Sequence, residues 1–305
     1  MRLAAVDIGS NTVHILVAEV AGDGLLEDVA HYVEMPELGA QVAHSGEIGP
    51  RKRQKTVAAL RKVVGRAREH RYETLVAGAT AAVRKAADRE QMLAEASEAI
   101  GVPVRLIGEE REAELSFTGV AMRHSHKGEW LMADLGGGSL ELVAAAGKRM
   151  RTWASLDLGS GSYAERFLSD PPLDGERGRL REAALTVIRR SPEADPERVV
   201  ATGGTAANLP VIVSRRNPPQ LLDQRALLTA EERLDEATAA QVARRFGLPK
   251  ARVKALRGGV EILLLLLDWY GVHRLHVSRE GVRHGMLLAY LDRGEAWAEA
   301  SDPEV

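Results

Sequence analysis

The chain of 305 residues is 45% hydrophobic and 28% charged, has a formal charge of −2 and contains no cysteine. The lack of cysteine excludes disulfides, thiolate metal sites and cysteine nucleophiles, and the small net charge gives no overall positive field to attract nucleic acid. A prior of about 150 residues per domain predicts two domains. The longest apolar run, 262–267, is too short to cross a bilayer, and the N-terminus enters a predicted strand at once. We therefore expect a cytoplasmic protein without membrane or nucleic-acid partners.

The first predicted element is a hairpin. Two apolar runs, 3–8 and 13–17, flank the turn Gly9-Ser10-Asn11-Thr12, and Asp7 precedes the turn. Such a turn can direct its backbone amides toward phosphate oxygens. A glycine-containing hairpin is more often only a turn, so this copy alone does not decide the function.

The rest of the first half alternates predicted strands and helices. A strongly basic segment has apolar residues at helical spacing through Ala67, and we interpret its cations as the solvated outer face of a helix. The predicted elements are a strand at 26–32, a loop at 38–50, the basic helix, a strand at 75–78, a helix from Thr80 to about Ile100, a strand at 102–106 and an acidic helix from 108 through 120.

Arg84 falls in the first turn of the helix predicted from Thr80. A cation is disfavoured at a helix N-terminus, because the helix dipole already attracts anions there. Arg84 therefore indicates either a bound phosphate or a side chain that simply faces water.

The second half is predicted to open near Arg123, with His124-Ser125-His126 as the hinge. A capping-box pattern, Thr229 with Glu232, predicts a helix from Thr229 to Phe246. The other predicted elements are a strand at 151–156, helices at 163–168 and 176–190, a strand at 199–201, the loop Gly203-Gly204-Thr205 with a helix after it, a buried helix at 260–270, a strand at 274–277 and a final helix at 286–297.

The central stretch 131–143 repeats the first hairpin. Asp134 lies 127 residues after Asp7, and Gly136-Gly137-Gly138-Ser139 forms the turn. Two copies with the acid in register indicate two related halves that each supply a phosphate-binding hairpin. An acid beside anion-binding amides predicts a divalent cation, Mg²⁺ or another, bound by Asp134 and shared with the phosphate.

Several segments resemble the exopolyphosphatase and guanosine pentaphosphate phosphatase (Ppx/GppA) family, within the actin and sugar-kinase superfamily. The resemblance covers nearly the whole chain, and its segments are 7–12, 79–84, 108–113, 134–139, 203–205 and 278–285. It implies an α/β fold of two actin-like (ribonuclease H-like) lobes with an interdomain cleft. The lobes would be 1–122, with the helix 286–305 packed back on the first lobe, and 123–285.

The resemblance also implies roles for individual residues. Glu112 aligns with the glutamate that activates the attacking water, and Asp134 with a catalytic metal ligand, supported by Asp7. Phosphate would be held by the two hairpin turns, by Arg84 and by a third loop: Gly9, Ser10, Asn11, Thr12, Gly136, Gly137, Gly138, Ser139, Gly203, Gly204 and Thr205. The implied reaction is Mg²⁺-dependent hydrolysis of a terminal phosphate from inorganic polyphosphate, with short chains preferred, or from pppGpp in the stringent response.

The chain departs from the family pattern at four places, and each puts a contact in doubt. Glu109, Leu140, the uncharged stretch 159–163 and the pair Ala206-Ala207 occupy the positions concerned. At the last two the family has arginines, and Arg215 and Arg216 are candidates to replace one of them.

Alternatives remain open at this point. The chain is either a hydrolase, a kinase or ATPase of the same superfamily, or a non-catalytic sensor of polyphosphate or pppGpp. The basic helix is an alternative secondary track for polyphosphate. A homodimer is compatible with the resemblance, and the sequence leaves the oligomeric state open.

Overall fold

The computed structural model describes residues 1–22, 24–124 and 126–299, and it divides into two compact units. The first comprises Met1–Arg123 and Glu280–Val305, and the second His124–Arg279. Ser125, in the predicted hinge, lies outside the described residues.

The first unit is built on a sheet with the strand order β3-β2-β1-β4-β5. The first three strands form an antiparallel meander, and β4 and β5 run parallel to β1. The strands are β1 (Arg2–Ile8), β2 (Val13–Val20), β3 (Leu26–Glu34), β4 (Thr74–Ala79) and β5 (Val104–Leu106). Its helices are α1 (Leu38–Ser45), α2 (Gly49–Ala67), α3 (Ala81–Lys85), α4 (Arg89–Ile100), α5 (Glu109–His124) and α12 (Val282–Arg293), with 3₁₀ turns at Arg68–His70 and Gly294–Ala298.

The second unit has a six-stranded sheet in the order β10-β11-β9-β6-β7-β8. Its strands are β6 (His126–Leu135), β7 (Leu140–Gly147), β8 (Arg149–Leu156), β9 (Arg198–Thr202), β10 (Leu221–Asp223) and β11 (Arg274–Val277). Its helices are α6 (Ser160–Phe167), α7 (Glu176–Ile188), α8 (Gly203–Val213), α9 (Gln224–Asp235), α10 (Ala239–Phe246) and α11 (Lys250–Trp269).

The two sheets repeat one topology. The order β8-β7-β6-β9-β11 matches β3-β2-β1-β4-β5, with the same parallel and antiparallel pairings, and β10 is an addition. Asp7 pairs with His14 across the first hairpin, and Asp134 pairs with Glu141 across the second. Asp7 and Asp134, which identify the repeat in the sequence, therefore occupy equivalent positions in the two sheets.

The apolar cores explain where the chain divides. The core of the second unit comes entirely from residues between 131 and 277. The first unit has one core on each face of its sheet, and α12 covers one of them with Val282, Met286 and Leu287. The family resemblance places residues 280–285 in the second lobe, 123–285. The structure assigns them to the first, because α12 packs so closely on α5 that a Cβ on Gly119 or Gly285 would overlap the backbone of the other helix's segment.

Three predicted elements differ from the structure. The loop expected at 38–50 contains α1, which buries Leu38 and Val42 one turn apart. The helix expected at 80–100 is two helices, since the backbone becomes extended at Ala86 and Asp88 turns away to bind the amides of Ile48 and Gly49 at 2.8 and 2.9 Å.

The third difference is the helix expected from Thr229 to Phe246. The structure has α9 and α10 there, and α9 begins earlier because the side chain of Asp223 accepts from the amide of Ala226. The capping box is formed by Thr238 and Gln241, at the start of α10. No helix in the described parts of the chain combines the length and the apolar composition needed to cross a membrane.

Candidate functional site

The turn between β1 and β2 is closed by its own backbone. The amide of Gly9 donates to the carbonyl of Thr12 at 2.9 Å, and the carbonyl of Ser10 accepts from the amide of Gly39 at 2.7 Å. Among the described residues, no acceptor is bonded to the amides of Ser10, Asn11 and Thr12. Three neighbouring donors therefore remain for an anion, whereas the Gly9 amide serves the turn.

The turn between β6 and β7 is closed in the same way. The amide of Gly136 donates to the carbonyl of Ser139 at 3.0 Å. The carbonyls of Gly136 and Gly137 accept bonds of 3.0 to 3.1 Å from the first amides of α6, which belong to Ser160, Gly161 and Ser162. Within the described chain, the amides of Gly137, Gly138 and Ser139 donate to no acceptor. Helix α6 thus holds the carbonyls of the triplet and leaves its amides for a ligand.

Gly159 makes this arrangement sterically possible. A Cβ at position 159 would overlap the backbone of Gly137 and Gly138. Its φ of −95° suits any residue, so the requirement for glycine is one of space alone. The stretch 159–163, where a family arginine is absent, therefore acts through backbone packing against the triplet.

Asp134 is the penultimate residue of β6 and lies beside the loop that begins α8. A Cβ on Gly203 would approach Asp134 Oδ1 to 2.8 Å and the carbonyl of Leu135 to 2.5 Å, so the glycine leaves room around the carboxylate. Gly203 also has a φ of +89°, which favours glycine on its own account. The loop and the carboxylate are therefore in close contact within the second unit.

Glu141 is a site residue that the sequence analysis missed. It is 2% exposed and lies directly across the strand pair from Asp134, and it accepts a hydrogen bond of 3.1 Å from Ser155 Oγ. Like charges in directly opposite strand positions are destabilising unless a cation lies near them. The spacing of seven residues from Asp134, the same as from Asp7 to His14, was the available signal.

These carboxylates fit a lightly coordinated Mg²⁺. In the described part of the chain, no cluster of three or more histidine, aspartate or glutamate side chains could hold a metal ion. Asp134 and Glu141 supply hard oxygen donors, and Gly203 leaves space beside Asp134. Mg²⁺ commonly binds through one or two carboxylates and takes its other ligands from phosphate and water. The donor set therefore suits a cation that arrives with its substrate.

Arg84 and Glu112 form an ion pair in the first unit. Arg84 Nη1 lies 2.8 Å from Glu112 Oε2 and 2.7 Å from the carbonyl of Ile107, while Nη2 lies 3.7 Å from Glu109. Both side chains are largely buried, with exposed fractions of 16% and 11%. The pair fixes the carboxylate in the first turn of α5, which is the kind of positioning that a general base requires.

Asp7 has a cationic neighbour of its own. Arg283, in the first turn of α12, places Nη1 3.6 Å from Asp7 Oδ2. The next residue, His284, is buried and its Nε2 lies 2.9 Å from Asp28 Oδ1, a contact that lowers the pKa of Asp28. His284 is thus part of a structural pair, and Arg283 is the α12 side chain that reaches Asp7.

The third predicted phosphate loop is only partly exposed to a ligand. Gly203 and Gly204 open α8, but Thr205 is 1% exposed and its side chain packs against Gly259 of α11. A Cβ on Gly204 would lie 2.8 Å from the Cζ of Arg252, so this guanidinium rests on the loop. Arg252 was not predicted, and no local spacing links it to the loop. Arg215, proposed as a replacement cation, instead donates to the carbonyl of Arg245.

Two departures from the family pattern differ in burial. Leu140 is completely buried, so its side chain packs in the apolar core of the second unit. Ala207, where the family pattern has an arginine, is exposed on α8, so the structure leaves room for a longer side chain that this chain does not have.

Comparison with known proteins bears on the chain as a whole. A model of the Ppx/GppA phosphatase family matches residues 16–294. The crystal structure of the Ppx/GppA family member from Aquifex aeolicus is 26% identical, with 97% of this chain and 99% of that chain covered and a TM-score of 0.79. An exopolyphosphatase structure from Cytophaga hutchinsonii is 21% identical, with coverages of 96% and 98% and a TM-score of 0.85, which shows the shared fold.

The expected actin-like α/β fold is therefore confirmed, with one repeat of the topology in each unit. The family match spans nearly all of the described residues and includes the whole second hairpin, whereas it begins within β2, after the turn of the first hairpin. The chain belongs to the Ppx/GppA phosphatase family.

Proposed function

We propose that this phosphatase hydrolyses the terminal phosphoanhydride bond of inorganic polyphosphate or of pppGpp. The observation that carries the proposal is Glu112, held by Arg84 at the start of α5. The segment around Glu112 resembles the hydrolase family, in which the matching glutamate positions and deprotonates the attacking water. The relatives support the choice, since one is described as an exopolyphosphatase and another as a Ppx/GppA family member.

The reaction assigns one task to each group. Glu112 accepts a proton as the oxygen of water bonds to the terminal phosphorus, and the bond from that phosphorus to the bridging oxygen breaks. The products are inorganic phosphate and a polyphosphate shorter by one unit. The free amides of 10–12 in the first unit, and those of 137–139 in the second, are each suited to donate to phosphate oxygens and to stabilise their negative charge. A divalent cation held by Asp134, with Glu141 beside it, would supply further charge compensation.

The test measures Mg²⁺-dependent phosphate release from tripolyphosphate, long polyphosphate and pppGpp. Glu112→Gln should lower the rate by about 10²- to 10⁴-fold, the usual contribution of a positioned base, while substrate binding persists. Glu110→Gln is the matched control, because Glu110 lies in the same helical turn but is exposed and has no ion pair in the described structure. It should retain the wild-type rate.

The outcomes separate the alternatives. The ranking of the three wild-type rates identifies the preferred substrate and shows whether short or long chains are hydrolysed faster. Tight binding without release from any substrate would contradict hydrolysis and identify a sensor. ADP formation from ATP that depends on an acceptor would identify a kinase.

A further inference from the structure

Helix α2 carries more positive charge than a solvent-exposed helix needs for solubility. Its 19 residues include seven arginines and lysines and no aspartate or glutamate, in a chain whose formal charge is −2. A solvated helix usually gains stability by alternating opposite charges three or four residues apart, and like charges at that spacing are destabilising. Arg51 with Lys55 and Lys62 with Arg66 are such like-charged pairs. The helix therefore keeps a concentration of cations that lowers its own stability.

Two of the seven cations have structural roles. Arg53 is buried and forms ion pairs with Asp88 and Glu95. The hydrogen bonds from Arg53 and from two backbone amides outweigh burial and lower the pKa of Asp88. Lys52 Nζ donates to the carbonyls of Pro36 and Glu37 at 2.9 and 2.7 Å. These two attach the helix to its own unit.

The exposed cations are differently placed. Arg51, Lys55, Lys62 and Arg66 fall within about 60° of one another around the helix and extend about 22 Å along it. Each lysine has a carboxylate partner: Lys55 has the exposed Glu37 at 3.9 Å, and Lys62 has the partly exposed Glu34 at 2.6 Å. In the described chain, no carboxylate forms an ion pair with the exposed arginines of the helix and of the turn after it, which are Arg51, Arg61, Arg66, Arg68 and Arg71.

The row of cations begins beside the first phosphate-binding turn. Lys52 binds the carbonyl of Glu37, and the amide of Glu37 donates to the carbonyl of Asn11 at 3.1 Å. The amide of Gly39 donates in turn to the carbonyl of Ser10. A single short segment therefore connects the first turn of α2 with the hairpin whose amides are free.

We propose that the exposed face of α2 is a track for linear polyphosphate, which guides the polymer away from the turn 9–12. This inference rests on the proposed hydrolysis of a polyphosphate end. Arg51 and Arg66, which have no carboxylate partner in the described chain, and the exposed lysines between them attract a polyanion along the face, because each contact releases a counterion. Helix α2 itself contains no aromatic residue on which a base could stack, and the neighbouring ring of Tyr32 is covered by the guanidinium of Arg66, whose Cζ lies 4.1 Å from the ring centroid. These features favour a polyanion without bases, and they favour long chains over the short chains implied by the family resemblance.

The test compares two triple variants with the same change of charge. Arg51→Gln, Lys62→Gln and Arg66→Gln together remove three cations from the track. Arg149→Gln, Arg151→Gln and Arg190→Gln remove three exposed arginines of the second unit, which have no ion pair in the described structure. Binding of long polyphosphate and of tripolyphosphate is measured for both at several salt concentrations, in the Glu112→Gln background to prevent turnover.

The track variant should bind long polyphosphate about tenfold or more weakly, and the slope of log K against log salt should fall by about 2 for three lost contacts. Its affinity for tripolyphosphate, and both affinities of the control variant, should change less than about twofold. Equal losses in the two variants, or none in the track variant, would overturn the proposal. Single-stranded DNA that binds as tightly as polyphosphate and is lost in the track variant would also overturn it.

The same variants without Glu112→Gln distinguish this inference from the proposed function. Phosphate release from tripolyphosphate should be normal in the track variant and reduced only with long chains. Absence of release by the wild-type protein would refute the proposed hydrolysis, and the binding comparison would still decide the track.

Discussion

Gly159 packs against the glycine triplet, so adding one methyl group at this position tests whether the triplet must keep its place. We expect Gly159→Ala to displace the triplet at 137–138, because the new Cβ would overlap its backbone. Phosphate release should fall by about 10²-fold or more, in line with losses from misplaced oxyanion donors, while the far-UV circular dichroism of the protein is retained.

The control for this change is Gly178→Ala in α7. A Cβ on Gly178 meets no atom within 4 Å, and alanine stabilises a helix by about 0.5–1 kcal/mol relative to glycine. We expect normal activity and a slightly higher midpoint in urea. Activity in Gly159→Ala equal to that of Gly178→Ala would show that the triplet does not need its present position.

Arg252 is expected to supply the cation that the family pattern lacks after Gly204. Arg252→Gln should raise KM for polyphosphate about tenfold, since a charged hydrogen bond to an anion contributes about 1.5–3 kcal/mol. Steady-state kinetics measure the effect, and Arg216→Gln is the control on an exposed cation nearby in sequence. A larger increase in KM for Arg216→Gln than for Arg252→Gln would show that Arg216, and not Arg252, supplies this cation.

At the scale of single residues, local sequence patterns identify some candidate site residues and miss others. Glu112 and Arg84 could be identified from their segments, but their ion pair could not, because it joins α3 to α5 across 28 residues. Glu141 was predictable from the hairpin spacing. Arg252 was not, since only tertiary packing brings α11 to the loop at 203–204.

At the scale of elements, apolar periodicity predicted most strands and helices but not where helices break. The segment 38–45 contains several small and polar residues, and only the burial of Leu38 and Val42 makes it a helix. Thr229 fits the capping pattern, yet its hydroxyl donates to the carbonyl of Arg225 inside α9. The competing cap, Asp223, has the better geometry, and no sequence rule ranks two such candidates.

The packing of α9 against α11 makes stability depend on pH through Glu231. Burial raises the pKa of Glu231 to about 7, and the neighbouring Glu261 and Asp235 oppose the attraction of Arg177. Between pH 4.5 and 7, Glu231 therefore remains protonated in the folded protein, whereas in the unfolded chain, where its pKa is about 4.5, it has lost the proton. The free energy of unfolding should fall as pH rises from about 4.5 to about 7.

Glu231→Gln should remove this dependence. Because Glu231 is partly exposed to solvent, we expect the variant to be more stable at pH 8 by only about 1 kcal/mol and equally stable near pH 4.5. Urea unfolding at both pH values measures the difference, with the exposed Glu232→Gln as control. A variant that is less stable at pH 8 would show that the ion pair with Arg177 outweighs the burial.

At the scale of the molecule, the repeat of Asp7 and Asp134 predicted two related halves. Each aspartate lies near the end of a strand before a similar turn, and such a hairpin implies a similar arrangement of strands around it. The boundary was harder to predict. Residues 280–285 follow a strand of the second unit directly, and only the contact of α12 with α5 assigns them to the first.

The separate cores predict that residues 124–279 fold alone. All residues of the second core lie within this segment, so it should give one cooperative urea transition followed by circular dichroism. Residues 1–123 alone should aggregate, since without α12 the face with Leu3, Leu16 and Leu115 has no cover. Attaching residues 280–305 through a flexible linker should restore solubility. A soluble, cooperatively unfolding 1–123 fragment would contradict the need for α12.

The late position of α12 also imposes an order on biosynthesis. The first unit begins to emerge from the ribosome first, yet its last helix follows roughly 150 further residues, which at about 5–20 residues per second are translated in roughly ten to thirty seconds. For that time one apolar face of the five-stranded sheet is without its helix. The half of the chain that is made first is thus completed last, and the nascent protein spends that interval as a client for any chaperone that recognises exposed aliphatic side chains.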